Sequence, residues 1–165
     1  MGSLIDEIPN VLFEKCFICK NSTEMEDIIN LPGITIFHVN IRSIRKNFNE
    51  LLVFLKPYLI NIDILILSET HYNETFPYSF SIQGYDGYFT TNQFNQNAGL
   101  AMFIKNNIQV FDIKEKYFTK CNCLQVTIKT DGKYTHIIGM YRSPELDGKI
   151  FIEELNEYLQ NNNEN

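Results

Sequence analysis

Ile64-Leu65-Ile66-Leu67 is an unbroken run of four apolar residues, bounded by Asp63 on one side and by Ser68-Glu69-Thr70-His71 on the other. An alternating pattern would leave one face of a strand to water. A continuous short run instead predicts a strand over 63–68 covered on both faces, and hence a sheet with layers above and below it. The run stops abruptly on four polar residues. A carboxylate at the C-terminal edge of a buried strand is fixed by the sheet at a rim where ligands bind in α/β proteins. Taken alone, Glu69 reads either as such a group or as the solvated end of the strand.

The flanking sequence fits a layered α/β chain. Residues 34–40 form a strand after the Pro32-Gly33 turn signal. Residues 47–60 form a helix with Leu51, Leu52, Phe54, Leu55, Tyr58 and Leu59 on one broad face, and Pro57 kinks or frays its last turn. With strand 63–68 this makes a strand–helix–strand unit, whose parallel crossover is right-handed. A loop over 71–83 follows, then a short aromatic strand at 84–90, a polar loop at 92–97, a strand at 99–105 and an Asn106-Asn107 turn. Residues 108–113 alternate weakly. Residues 123–129 set Cys, Gln, Thr and Lys against Leu, Val and Ile, which predicts a half-buried strand. Asp131-Gly132 is a hairpin turn leading to its partner strand at 134–141. Residues 148–159 form a helix with Ile150, Phe151, Leu155, Tyr158 and Leu159 as its apolar face and Asp147 as N-cap. Residues 1–31 read as an extension, with a short amphipathic helix through Leu4, Ile5, Ile8, Val11, Leu12 and Phe13; residues 161–165 read as a polar tail.

The 165 residues, 44% of them hydrophobic, suffice for one domain with its own core. No apolar run approaches the roughly 18 residues of a membrane span, and no leader is recognisable, which leads us to expect an intracellular protein, nuclear or cytoplasmic. The net charge of −6 argues against autonomous DNA binding, which normally shows a basic patch. A metal-dependent phosphodiesterase can be acidic overall, because the cation supplies the local positive charge. Cys16 and Cys19 have CxxC spacing and Cys121 and Cys123 CxC spacing. Together they read as thiols in a reducing compartment or, less naturally, as the ligands of a small zinc-binding adaptor.

Three strand ends carry groups suited to phosphate chemistry: Asn40, Glu69 and Tyr141. In order along the chain, His38-Val39-Asn40-Ile41-Arg42-Ser43, Leu67-Ser68-Glu69-Thr70-His71, the stretch from Asn97-Ala98-Gly99 to Lys105, and Tyr141-Arg142-Ser143-Pro144 together resemble the endonuclease/exonuclease/phosphatase superfamily. The resemblance is strongest to the apurinic-endonuclease-like domain of insect non-LTR retrotransposons of jockey and CR1 type, and covers residues 33–160. It implies a four-layer α/β/β/α sandwich with the active site at one end of two packed sheets. It implies that Glu69 binds a catalytic Mg²⁺, that Asn40 orients the metal and water network, and that Tyr141 contacts the scissile phosphate of DNA. Arg42 and Arg142 are the candidate phosphate contacts.

The departures are as informative. The family carries a Gly-Asp-Phe-Asn motif, a further Asp and a terminal Ser-Asp-His, and none of these occurs in the sequence. The expectation is therefore half of the sandwich, a mixed sheet with helices on one face. Catalysis is lost and Mg²⁺ and DNA bind weakly. Without the family, Asn40 reads as a turn residue, Tyr141 as a core-edge aromatic, and His38 and His136 as satisfied strand histidines. His71, beside Glu69, is the better functional candidate of the three histidines. A non-catalytic interaction module is the alternative to the endonuclease. An uncovered sheet face would favour a homodimer, with Leu65, Leu67, Met102 and Ile138 in the contact.

Overall fold

The computed structural model describes residues 17–18, 22–29, 31–72, 79–91, 95, 97–130 and 132–162. The expected helix in residues 4–13, Cys16, Cys19 and Asp131 of the hairpin turn lie outside them. The elements are α1 (Ser22–Ile29), β1 (Ile36–Asn40), α2 (Ile44–Leu55), β2 (Ile64–Ser68), β3 (Tyr85–Phe89), β4 (Leu100–Lys105), β5 (Val110–Phe118), β6 (Cys121–Thr130), β7 (Lys133–Arg142) and α3 (Gly148–Asn162).

The α/β class and the sandwich are as the sequence implies, but the strands divide between two sheets. The first has the order β1-β2-β4-β3 and the second β5-β6-β7. β1 and β2 are parallel, joined through α2, while β4 runs antiparallel to both β2 and β3, so the first sheet is mixed. The second is an antiparallel meander. β2 is buried along its whole length because its alternate side chains enter two cores. Leu65 and Leu67 join Ile44, Phe48 and Leu55 of α2, Met25 and Ile29 of α1, and Ala101 and Phe103 of β4. Ile64 and Ile66 join Leu100, Met102 and Ile104 of β4 and Leu124, Val126 and Ile128 of β6. Part of the segment set apart as an N-terminal extension is thus built into the first core.

The sheet face expected to await cover is filled by the second sheet of the same chain. Met102 is buried there by the second sheet, and Leu65 and Leu67 on the opposite face by α1 and α2; each is 0% exposed, so a homodimer through them has no surface to use. Ile138 lies on the opposite side of β7, level with Gln125. The approach of the sheets depends on Gly139: a Cβ there would lie 2.8 Å from Met102 Cε and 3.2 Å from Ile66 Cγ2.

The second sheet has its own cover. β6 was expected to be half-buried, yet both its faces are enclosed. Its polar side lies under α3, where the Tyr158 hydroxyl donates to Gln125 Oε1 and the Phe118 ring meets Tyr158 edge-on. Burial pushes the Cys121 and Cys123 thiols on this side up to about 12, so they are inert structural groups. Asp147 caps α3 as expected, its Oδ1 accepting Lys149 N–H at 2.7 Å. α2 begins earlier than expected, at Ile44, and ends at Leu55. Pro57 has no N–H to continue the ladder, and Leu55 C=O instead accepts from Tyr58 and Leu59 in a closing turn. β5 runs five residues beyond its expected end at 113, a length hidden by its charged, solvated sequence.

Candidate active site

β1 and β2 run parallel and end at the same level, Asn40 opposite Ser68. β7 ends there too, in the other sheet, and contact between the sheets near this end is made by Asn122, whose Oδ1 accepts Gly99 N–H at 3.1 Å. Asn40, Glu69 and Tyr141 therefore share one rim of the sandwich. Across the gap between the sheets, the Tyr141 hydroxyl faces the Glu69 carboxylate. Burial first, and then the Glu69 charge and its acceptor oxygens, hold the phenol above its ordinary value. At neutral pH Tyr141 keeps its proton.

The rim backbone is strained. Among the described residues, the non-glycine positions with left-handed backbone are Arg42 (φ 47°), Ser43 (94°), Glu69 (52°), His71 (50°) and Lys120 (47°). Four of these five belong to the two loops that leave β1 and β2. Such conformations cost on the order of 1 kcal/mol or more each and persist only where surrounding contacts impose them. The contacts here are Ile41 N–H to Ser68 C=O at 3.0 Å, Ser43 N–H to Glu69 C=O and Ile44 N–H to Thr70 C=O at 2.8 Å. A third loop joins through His71 N–H to Ala98 C=O at 3.0 Å. Asn47 ties the first loop from inside α2, its amide donating to Ile41 C=O at 2.7 Å.

The other expected residues fare differently. Arg42 is exposed on the rim, its own N–H bonded to Asn40 Oδ1 at 3.1 Å. Arg142 faces away. It follows Tyr141 in a strand, so its side chain takes the opposite face, and its Nη1 donates to Leu146 C=O at 2.6 Å. It braces the turn into α3 and does not join Glu69 and Tyr141 at the rim. His38 and His136 are satisfied strand histidines, His38 Nε2 lying 3.1 Å from Ser68 Oγ and His136 Nδ1 2.9 Å from Thr127 Oγ1. His71 Nε2 is buried and, among the described residues, has no hydrogen-bond partner. Asn122, 2% exposed beside Tyr141 in the ladder, was missed. A signal for it exists: it is a polar residue at the start of the strand, in phase with the apolar Leu124, Val126 and Ile128.

The rim offers a cation one carboxylate and one amide oxygen. Among the described residues, no three His, Cys, Asp or Glu side chains group to hold a metal ion. That donor set suits a hard ion that keeps most of its waters, Mg²⁺, rather than a caged one.

No protein-family model matches the chain, and no curated protein matches it. Solved structures do. TDP2 of D. rerio, complexed with single strand DNA product, matches at a TM-score of 0.52 and 12% identity over 77% of this chain and 53% of that one. The AP endonuclease LMAP from Leishmania major matches at 0.53 and 16% identity over 73% of this chain and 43% of that one. The likeness is one of fold, an α/β sandwich, and the chain spans about half the length of these structures.

Proposed function

We propose that the chain is the N-terminal part of a Mg²⁺-dependent DNA endonuclease of the non-LTR retrotransposon type, and that these 165 residues do not turn over by themselves. The observation that carries the reading is the meeting of Glu69 and Tyr141 across the sheets, at the rim where Asn40 also ends its strand. Support comes from the fold shared with TDP2 and an AP endonuclease, one of which is complexed with single strand DNA product.

In this reading Glu69 holds the cation with Asn40 beside it, and Tyr141, kept protonated, donates to a phosphate oxygen. Mg²⁺ held there would supply positive charge to the phosphate group as it gathers charge. Arg42 adds an exposed guanidinium for the neighbouring backbone. The Ser-Asp-His that supplies the family's general base does not occur in the sequence, and His38 and His136 are engaged with hydroxyls. Removing members of a coordinated catalytic unit costs orders of magnitude in rate. Purified protein mixed with nicked, intact and abasic duplex DNA and Mg²⁺ should give no cleavage above that of Glu69→Ala. Cleavage that Glu69→Ala abolishes would show the chain to be catalytically complete.

A second reading is favoured by a different observation. One side of the sandwich leaves apolar surface of β1 exposed, Ile36 at 45%. This favours a non-catalytic interaction module that retains the endonuclease scaffold.

A further inference from the structure

Most of the contact between the two sheets is apolar: Ile64 and Ile66 of β2 and Met102 of β4 meet Leu124, Val126 and Ile128 of β6. Such contact is non-directional, so it holds the sheets together without fixing how their ends align. At the rim the row changes character. Asn122 stands in phase with Leu124, Val126 and Ile128, so its side chain enters the same gap, yet it is polar and 2% exposed. A buried amide costs free energy unless it is hydrogen-bonded. Its Oδ1 finds its partner across the gap, accepting the N–H of Gly99 just before β4 at 3.1 Å. A hydrogen bond has direction, and one shielded from water is stronger than an exposed one.

The two ends of this bond lead to the two sides of the rim. On one side, Asn122 stands directly opposite Tyr141 in the β6–β7 ladder. Opposite residues of an antiparallel pair share a face, with Cβ atoms about 5 Å apart. On the other side, Gly99 holds a backbone of φ 106°, a conformation open to glycine. Its C=O accepts Thr70 N–H at 3.2 Å, and Ala98 C=O accepts His71 N–H at 3.0 Å. Thr70 and His71 directly follow Glu69. An unbroken series therefore runs from the Tyr141 strand, through the Asn122 amide and the Gly99 peptide, to the Glu69 loop. A further link between the sheets, from Thr91 to Glu115, is exposed and lies on the β3 and β5 side.

We propose that Asn122 is a positioning residue for the rim: its buried amide holds the Glu69 loop against the Tyr141 strand and so sets the gap that a cation and a phosphate oxygen would enter. Glu69 and Tyr141 belong to different sheets, and two groups that serve one ligand must be held to within about 0.5 Å of the productive geometry. Apolar packing alone leaves that alignment loose, and the Asn122 bond removes the slack at the level where it matters. Asn122 itself is too deeply buried to touch a ligand, so it acts through Gly99. A leucine of similar volume would fill the same space and lose the bond. The inference rests on the reading of the rim as the functional site. Every bond in the series lies within this chain, so it does not depend on what a longer protein would place beside the sheets.

The test compares the whole wild-type chain with Asn122→Leu, which removes the acceptor, and Asn122→Asp, which keeps it. NMR without metal gives amide hydrogen exchange and the proton–proton contact between the Glu69 methylenes and the Tyr141 ring. For Asn122→Leu the expected result is about tenfold faster exchange at Gly99, Thr70 and His71, loss of the Glu69–Tyr141 contact, and unchanged exchange in the middle of β2 and β6. Asn122→Asp should return both readouts to the wild-type pattern. Unchanged exchange at the three amides with the contact intact overturns the inference. So does faster exchange over the whole chain with the contact kept, the mark of an asparagine that serves stability alone. Mg²⁺ added afterwards separates this inference from the reading beneath it. A wild type without shifts at the rim counts against the cation site, while the metal-free readouts still decide the role of Asn122. Should Asn122→Leu fail to fold, wild-type exchange in low urea decides. Gly99, Thr70 and His71 amides that open together, with one urea dependence, support the inference, and independent opening overturns it.

Discussion

β2 is flanked by two carboxylates, and the structure treats them oppositely. Asp63, before the strand, is anchored: its Oδ2 accepts Thr35 N–H at 2.9 Å and its Oδ1 meets Lys105 Nζ at 3.0 Å. Nearby, the Tyr85 hydroxyl shares its one proton between Leu59 C=O at 2.7 Å and Ile62 C=O at 2.6 Å, and burial with the Asp63 charge pushes its phenol up to about 12. Glu69, after the strand, sits on left-handed backbone and reaches across to a tyrosine of the other sheet. A carboxylate at a strand end is therefore no functional signal by itself. What separates the two is whether the backbone is relaxed and the group ties its own sheet together, or is strained and reaches into the gap between sheets.

This contrast can be broken by substitution. Asp63→Ala leaves the Thr35 N–H and the Lys105 ammonium without their acceptor, and should lower stability by about 2 kcal/mol in urea unfolding. Glu69→Gly should act with the opposite sign. Glycine relieves the left-handed strain and should raise stability by up to ~1 kcal/mol, while removing whatever cation affinity the rim has. A loss of stability at Glu69 as large as at Asp63 would make it a structural carboxylate. The tyrosines should follow the same division: Tyr85→Phe costs about 1 kcal/mol, and Tyr141→Phe, at the half-exposed rim, less than about 0.5 kcal/mol.

The smallest effect expected is in pH dependence. Burial lowers the His38 imidazole below 6.5. The unfolded chain then binds the extra proton more readily, so this contribution is complete above 6.5 and is lost as pH falls through the lowered value. His38→Asn should flatten the acid side of the stability profile slightly. An unchanged profile would place the titration elsewhere.

Much of this was legible in the residues. The Ile64–Ser68 strand announces cover on both faces because four apolar side chains cannot be shared with water, and the strand–helix–strand unit and the β6–β7 hairpin follow from period and turn chemistry. The division into two sheets was not legible, since apolar strands of either sheet look alike and only non-local pairing assigns them. β6 misled for a related reason: its Cys, Gln and Thr residues read as a wet face, but Tyr158 and α3 enclose them. Arg142 could have been set aside earlier, because neighbours in a strand cannot both face Glu69. The strain at Glu69 and Arg42 has no signature in sequence, as neither residue type favours left-handed backbone.

The central claim is that the Glu69 rim is a weak cation and phosphate site shared by both sheets. The most direct measurement is a Mg²⁺ titration followed by backbone amide NMR on wild type and Glu69→Ala. The account predicts saturable, weak shifts confined to residues around Asn40, Glu69 and Tyr141, and their disappearance in Glu69→Ala. Shifts that persist in Glu69→Ala, or that centre on Asp63 instead, would contradict it.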